Sequence, residues 1–200
     1  MITIIDYGVG NVNAFINIYR ELGIECQASC LENEILNSNK LILPGVGHFD
    51  YAMEKLQKSN LIPVLNEMVF KQKVMVLGIC VGMQMMANFS SEGILMGLGW
   101  IPSKVVKLDT TLRHKTLTPH MGWNNVEVNN LHPILNGIDD FYFLHSYVME
   151  CDNPENILTT TNYGVNFASI VNNENVFGIQ CHPEKSHQSG IRFLRNFANL

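Results

Sequence analysis

The sequence has little positive charge, few cysteines and no long apolar run, and each shortage narrows what the chain can be. Thirteen lysines and arginines stand against 18 acids, a net charge of −5, so no general electrostatic attraction draws it to nucleic acid or to an anionic membrane. The most apolar stretch, Val74 to Ala87, contains Gln84 and is 14 residues long, short of the roughly 20 that a spanning helix needs. Met1 to Tyr7 carries no basic residue, so a secretory signal is not expected. The five cysteines (Cys26, Cys30, Cys80, Cys151 and Cys181) are odd in number and scattered, and no two form a Cys-x-x-Cys pair. They suit reduced cytoplasmic thiols better than a disulfide framework, a zinc site or a redox motif. What is present is a 46% apolar chain of 200 residues, enough to build one buried core and of a length that fits one domain over 1–200.

The first half alternates strand and helix. Met1 to Ile5, Ile24 to Cys30, Leu41 to Leu43 and Val74 to Leu77 read as short buried strands. Val12, Phe15, Ile16, Tyr19 and Leu22 follow helical spacing and end at Gly23, where a glycine belongs after a helix. Further helices are expected at about 49–57 and 61–71. Uniformly apolar strands alternating with helices predict a mostly parallel sheet covered on both faces. After Leu95 the texture becomes strand-rich, with strands expected at 99–108, 123–128, 141–148, 157–163, 167–171 and 176–181. A helix at 191–198 closes the chain. The predicted fold is α/β, a mostly parallel central sheet flanked by helices with a more antiparallel second half.

The chemistry is written most densely at Gly78-Ile79-Cys80-Val81-Gly82. A nucleophile on a sharp strand-to-helix turn needs small neighbours, because its backbone is strained and tightly packed. The helix that follows points its positive end at Cys80 and favours thiolate over thiol. Such a nucleophile needs a base. His182 follows an apolar strand, is fixed by Pro183 and has Glu184 two residues on. Strand ends converge on one edge of an open α/β sheet, which can unite Cys80 with His182, while Glu184 orients the imidazole. The amide of Val81 is one natural oxyanion donor, and the loop Pro44-Gly45-Val46-Gly47 can supply another. Other features carry less. Gly8-Val9-Gly10 lacks the third glycine of a dinucleotide fingerprint, and His114, His120 and His132 are too dispersed for a metal site. His48 reads as an exposed loop histidine, and Met83, Met85 and Met86 as core filler.

The elbow, the Pro44–Gly47 loop and His182-Pro183-Glu184 together resemble the triad (class I) glutamine amidotransferases, with Cys80 and His182 102 residues apart. Within that family the sequence is most similar to the glutaminase subunits of imidazole glycerol phosphate synthase. Asp6 to Asn11, Pro119-His120-Met121-Gly122-Trp123-Asn124, His145-Ser146-Tyr147 and Lys185-Ser186 carry this similarity. The resemblance implies a free-standing, cytoplasmic glutaminase subunit that hydrolyses L-glutamine and passes ammonia to a (β/α)8-barrel cyclase, without a metal or other cofactor. It implies Cys80, His182 and Glu184 as the triad, and an oxyanion hole at Val81 and Gly45–Val46–Gly47 whose loop reorients on partner binding. Glutamine would be cradled by Gly47, Gln84, Ser146 and Tyr147, and the barrel met by Asn11, Pro119, Trp123 and Lys185. Lys185 to Gly190 and Gly97-Leu98-Gly99-Trp100 also resemble a paralogous group that supplies ammonia for amidine formation in surface-polysaccharide sugars. Two further readings compete, a catalytically silent regulatory scaffold and an unrelated thiol hydrolase or peptidase.

Overall fold

A computed structural model describes residues 1–109 and 117–200. In chain order, the first half comprises β1 (Ile2–Ile5), α1 (Val12–Glu21), β2 (Cys26–Ser29), α2 (Glu32–Leu36), β3 (Lys40–Leu43), α3 (Phe49–Lys58), α4 (Ile62–Asn66), β4 (Met75–Ile79) and α5 (Val81–Met85). The second half comprises β5 (Phe89–Ser90), β6 (Ser103–Lys107), β7 (His120–Asn125), β8 (Glu127–Val128), β9 (Asp140–His145) and β10 (Tyr147–Cys151). It ends with β11 (Ile157–Asn162), β12 (Asn166–Asn173), β13 (Val176–Ile179) and α6 (His187–Asn199).

Among the described residues the main sheet has eight strands in the order β2-β1-β3-β4-β13-β12-β11-β8. The run from β2 to β13 is parallel and the run from β13 to β8 antiparallel. This is the parallel-then-antiparallel division expected from the texture of the two halves. β1 and β13 are buried at every position, which is why they read as continuous apolar runs rather than as alternating ones. β4 and β13 are neighbours in register, Gly78 beside Gly178 and Ile79 beside Ile179, so the chain leaves both strands at one sheet edge. Two smaller sheets, β10-β6-β5 and β7-β9, stand beside this frame.

Several boundaries differ from the sequence expectations, each for a tertiary reason. The strand expected at 141–148 is two strands, because the chain changes sheets at Ser146: β9 pairs with β7 and β10 with β6. The strand expected at 123–128 begins at His120 and is interrupted at Val126, whose amide turns to Asp139 O. Residues 97–101 are not strand. The Gly97 amide donates to Asn88 O, and those of residues 98–101 to the carbonyls of Met85, Met86 and Ala87 at and just past the end of α5, groups that a helix end leaves orphaned. The helix expected at 61–71 keeps α geometry only to Asn66 and then widens through Glu67–Lys71. α6 starts at His187, earlier than its apolar spacing indicates, and α2, with only Ile35 buried, had no periodic signal to reveal it.

Candidate active site

Cys80 sits at the junction of β4 and α5 with φ +55° and ψ −114°, backbone that a non-glycine residue adopts only under local constraint. The constraint is visible around it. Its own amide donates to Ile179 O on β13 at 2.8 Å, and the end of β3 lies directly against the first turn of α5. A Cβ on Gly45 would stand 2.1 Å from the Gly82 nitrogen, and one on Gly82 would stand 2.0 Å from Leu43 O. Only glycine allows the two backbones this close. Their contact brings Val46 and Gly47 to the cavity that Cys80 lines. Gly45 is the spacer behind that wall, not part of it.

His182 is placed by the other strand of the pair. Its amide donates to Tyr142 O at 2.9 Å, and its carbonyl accepts from Ser186 Oγ at 2.6 Å. That same Ser186 oxygen accepts from the Tyr142 amide at 2.9 Å, so the backbone of His182 is pinned to β9 on both sides. The ring interacts with Cys80, which lines the same cavity, and its Nδ1 lies 2.9 Å from Glu184 Oε1. Burial alone would strip the imidazole of its proton. The interactions with Cys80 and Glu184, and the charges on both, outweigh burial and raise the group to about 10. Glu184 Oε2 is buried without a hydrogen-bond partner among the described residues. The arrangement holds a proton on His182 next to the Cys80 sulfur, ready to be donated.

A cavity of about 400 Å³ opens over this pair, of a size to take one amino acid. Val46, Gly47, Cys80, Val81, Gln84, Ser146, Tyr147, His182, Pro119 and Lys185 all line it. Both N–H groups of Gln84 are occupied, by Tyr147 O at 3.1 Å and Gln180 Oε1 at 3.0 Å, which leaves its carbonyl oxygen to meet a ligand. Three lining residues were not singled out in the sequence, Glu92, Leu144 and His145. Glu92 reaches the cavity because its carboxylate accepts from the Phe49 amide at the start of α3, 43 residues away. Nothing in the local Ser90-Ser91-Glu92-Gly93 turn announces that reach. His145, seen only as part of a motif, forms another part of the wall.

Other residues fall elsewhere. Asn11 caps α1, its Oδ1 accepting from the Ala14 amide at 3.3 Å. Trp123 lies outside the cavity, 46% exposed, stacked on His187 and edge-on to Tyr142. Lys185 Nζ lies over the Tyr142 ring, so Tyr142 links Lys185, which lines the cavity beside Pro119, to Trp123 on the β7–β9 pair. Trp100 is buried and donates to Asn66 Oδ1 at 2.8 Å, so the Gly97–Trp100 segment is packing beneath α5. His48 caps α3, His132 caps the short turn Pro133–Leu135, Met83, Met85 and Met86 are core, and His114 lies outside the described residues.

The chain of Bdellovibrio bacteriovorus called imidazole glycerol phosphate synthase subunit HisH is 46% identical over 204 residues, covering all of both chains. Relatives of the same description from Leptospira interrogans, 46% identical over 100% of both chains, and Leptospira borgpetersenii, 43% identical over 100% of both, match equally fully. Among solved structures, one described as a glutamine amidotransferase superposes with a TM-score of 0.74 at 16% identity, covering 100% of this chain and 99% of that one. PurLQS from Thermotoga maritima gives 0.73 at 17% identity, covering 99% and 97%. The family model for glutamine amidotransferase class-I matches residues 3–199, and the chain, an α/β protein of that fold, belongs to the class I glutamine amidotransferase family.

Proposed function

We propose that this chain is the glutaminase subunit of an imidazole glycerol phosphate synthase. It hydrolyses L-glutamine to glutamate and ammonia and hands the ammonia to a (β/α)8-barrel cyclase subunit, which forms imidazole glycerol phosphate and aminoimidazole carboxamide ribotide in histidine biosynthesis. The observation that carries the chemistry is Cys80 and His182 lining one cavity, with the His182 ring hydrogen-bonded to Glu184 behind it. Full-length similarity to chains called HisH supports the pathway.

In this reading the Cys80 thiolate adds to the glutamine carboxamide carbon. The oxyanion is held by the Val81 amide and the Val46–Gly47 backbone. His182 gives its proton to the leaving nitrogen, ammonia departs, and a γ-glutamyl thioester remains on Cys80. Neutral His182 then takes a proton from water, hydroxide attacks the thioester, and the sulfur leaves as thiolate with glutamate as the product. Glu184 keeps the imidazole oriented throughout. Gly47, Gln84, Ser146 and Tyr147 cradle the substrate, and Glu92 is the carboxylate available to its α-ammonium. The barrel partner docks on the face carrying Pro119, Trp123 and Lys185, with Asn11 at its margin, and the whole chain acts as one cytoplasmic unit. No helix among the described residues is long and apolar enough to cross a membrane.

The test is co-purification with the barrel cyclase of the same genome, followed by a ring-closure assay with glutamine as the sole nitrogen donor. Glutamate and imidazole glycerol phosphate should form together. Glutamate without ring closure would contradict the pathway, and neither product would contradict the glutaminase reading.

A further inference from the structure

We propose that a hydrogen-bond relay of fixed polarity ties Asn124, beside the exposed Trp123, to the sulfur of Cys80, and that Gln180 is the positioning residue at its inner end. The inference rests on the reading of Cys80 as nucleophile and adds residues that take no part in the triad.

The polarity follows from donor chemistry. The carbonyl of Tyr147 only accepts, so His145 Nδ1, 3.0 Å away, carries a proton. Burial keeps this histidine neutral, so its Nε2 is bare. His120 Nδ1 stands 3.0 Å from that nitrogen and must donate to it. His120 is neutral too, again through burial, and its bare Nε2 accepts from Asn124 Nδ2 at 3.3 Å. The second N–H of Asn124 goes to Asn162 O at 2.9 Å. On the other side of the Tyr147 carbonyl, Gln84 Nε2 donates to it and to Gln180 Oε1. This fixes the fully buried Gln180 amide with its Nε2 3.9 Å from Cys80 Sγ.

Both halves therefore donate into one carbonyl, so the chain cannot carry a proton from end to end. What it carries is position. His120 is held between the faces of Phe143 and Tyr163, with ring centroids 4.8 and 4.0 Å away, and cannot swing without repacking. A displacement of the β7 strand at Asn124 thus moves the carbonyl of Tyr147, a residue of the cavity wall, and with it Gln84 and Gln180. A buried polar network is costly unless every member is satisfied, and an apolar core would have filled the same space. Gln180 adds an N–H aimed at the sulfur, which favours the anion over the thiol.

The test uses the full chain with Gln180→Met, which keeps length and removes the donor, and His120→Phe, which keeps the stack and removes the hydrogen bonds. The readouts are the rate of Cys80 alkylation by iodoacetamide at pH 7, located by peptide mass spectrometry, and the glutamine KM in complex with the barrel cyclase. Gln180→Met should slow alkylation roughly three- to tenfold, the size of one hydrogen bond. His120→Phe should slow it at least twofold and raise KM. Folded variants with wild-type alkylation and KM would overturn the proposal. Should either variant fail to fold, histidine nitrogen NMR on the wild-type chain decides: neutral Nδ1–H tautomers at both His120 and His145 are expected, and an Nε2–H tautomer or an imidazolium at either overturns the relay. Cys80→Ser separates the two levels, since glutamate formation surviving in that variant would sink the nucleophile reading itself.

Discussion

A histidine as buried as His182, at 3% exposure, sheds its proton unless something nearby demands that it stay. Here the demand comes from Cys80 and Glu184, and it wins over burial by enough to raise the group to about 10. The folded value lies above the unfolded one, so the stabilisation this proton contributes is complete below about pH 6.5. It is lost as pH rises towards 10. Removing Cys80 removes one of the two partners, so in Cys80→Ala the His182 ring should titrate well below its wild-type midpoint. Histidine NMR across pH 5–10 checks this, and an unchanged midpoint would mean that the sulfur does not hold the proton. The opposite case stands a few ångströms away. Burial drives His120 down to about 4 and His145 to about 3, below the unfolded value. Their contribution is present above pH 6.5 and lost as pH falls towards 4, because the unfolded chain then binds protons that the fold refuses. Denaturant unfolding should show stability dropping across that window, and His120→Phe should flatten the drop.

At the scale of elements, the elbow works because Gly82 in α5 lets the backbone at the end of β3 pack directly against it. Gly82→Ala would drive a methyl into Leu43 O, so one of the two elements must move. The expected cost is about 1–3 kcal/mol of stability, with glutaminase activity falling by more than the stability loss explains, since the Val46–Gly47 wall moves with β3. Equal stability and full activity would show that the contact has slack. The β7–β9 pair has a different task. Its six residue pairs carry His120 and His145 inward while Trp123 projects outward, so one strand pair spans cavity and surface. Trp123→Ala should leave unfolding nearly unchanged and weaken the barrel complex by roughly 1–3 kcal/mol in Kd, as anchoring aromatics do. Calorimetric titration with the cyclase measures it, and an unaltered Kd would move the interface elsewhere.

At the scale of the molecule, what could be read in the sequence was whatever local pattern controls. β4 followed by Gly78 to Gly82 announced the elbow, and the parallel half of the sheet followed from uniformly apolar strands. His182 and Glu184 were legible because Pro183 and an apolar strand set them at a strand end. The change of sheet at Ser146 was not legible, because β9 and β10 form one continuous strand-like run and only their different partners divide them. Glu92 and Gln180 were missed for a similar reason: one reaches the cavity by capping a helix 43 residues earlier, the other reaches Cys80 as a buried polar side chain just past a strand that otherwise reads as core. Motifs report chemistry that sits on one turn of chain, whereas walls assembled from distant turns need the fold. The central claim is that Cys80 forms the covalent bond to the glutamyl group, and the most direct measurement is mass spectrometry of the chain–cyclase complex treated with an electrophilic glutamine analogue. One adduct, on Cys80, with glutaminase activity lost in proportion, is the predicted result; activity that persists in fully labelled protein, or an adduct on Cys26, Cys30, Cys151 or Cys181 instead, would contradict it.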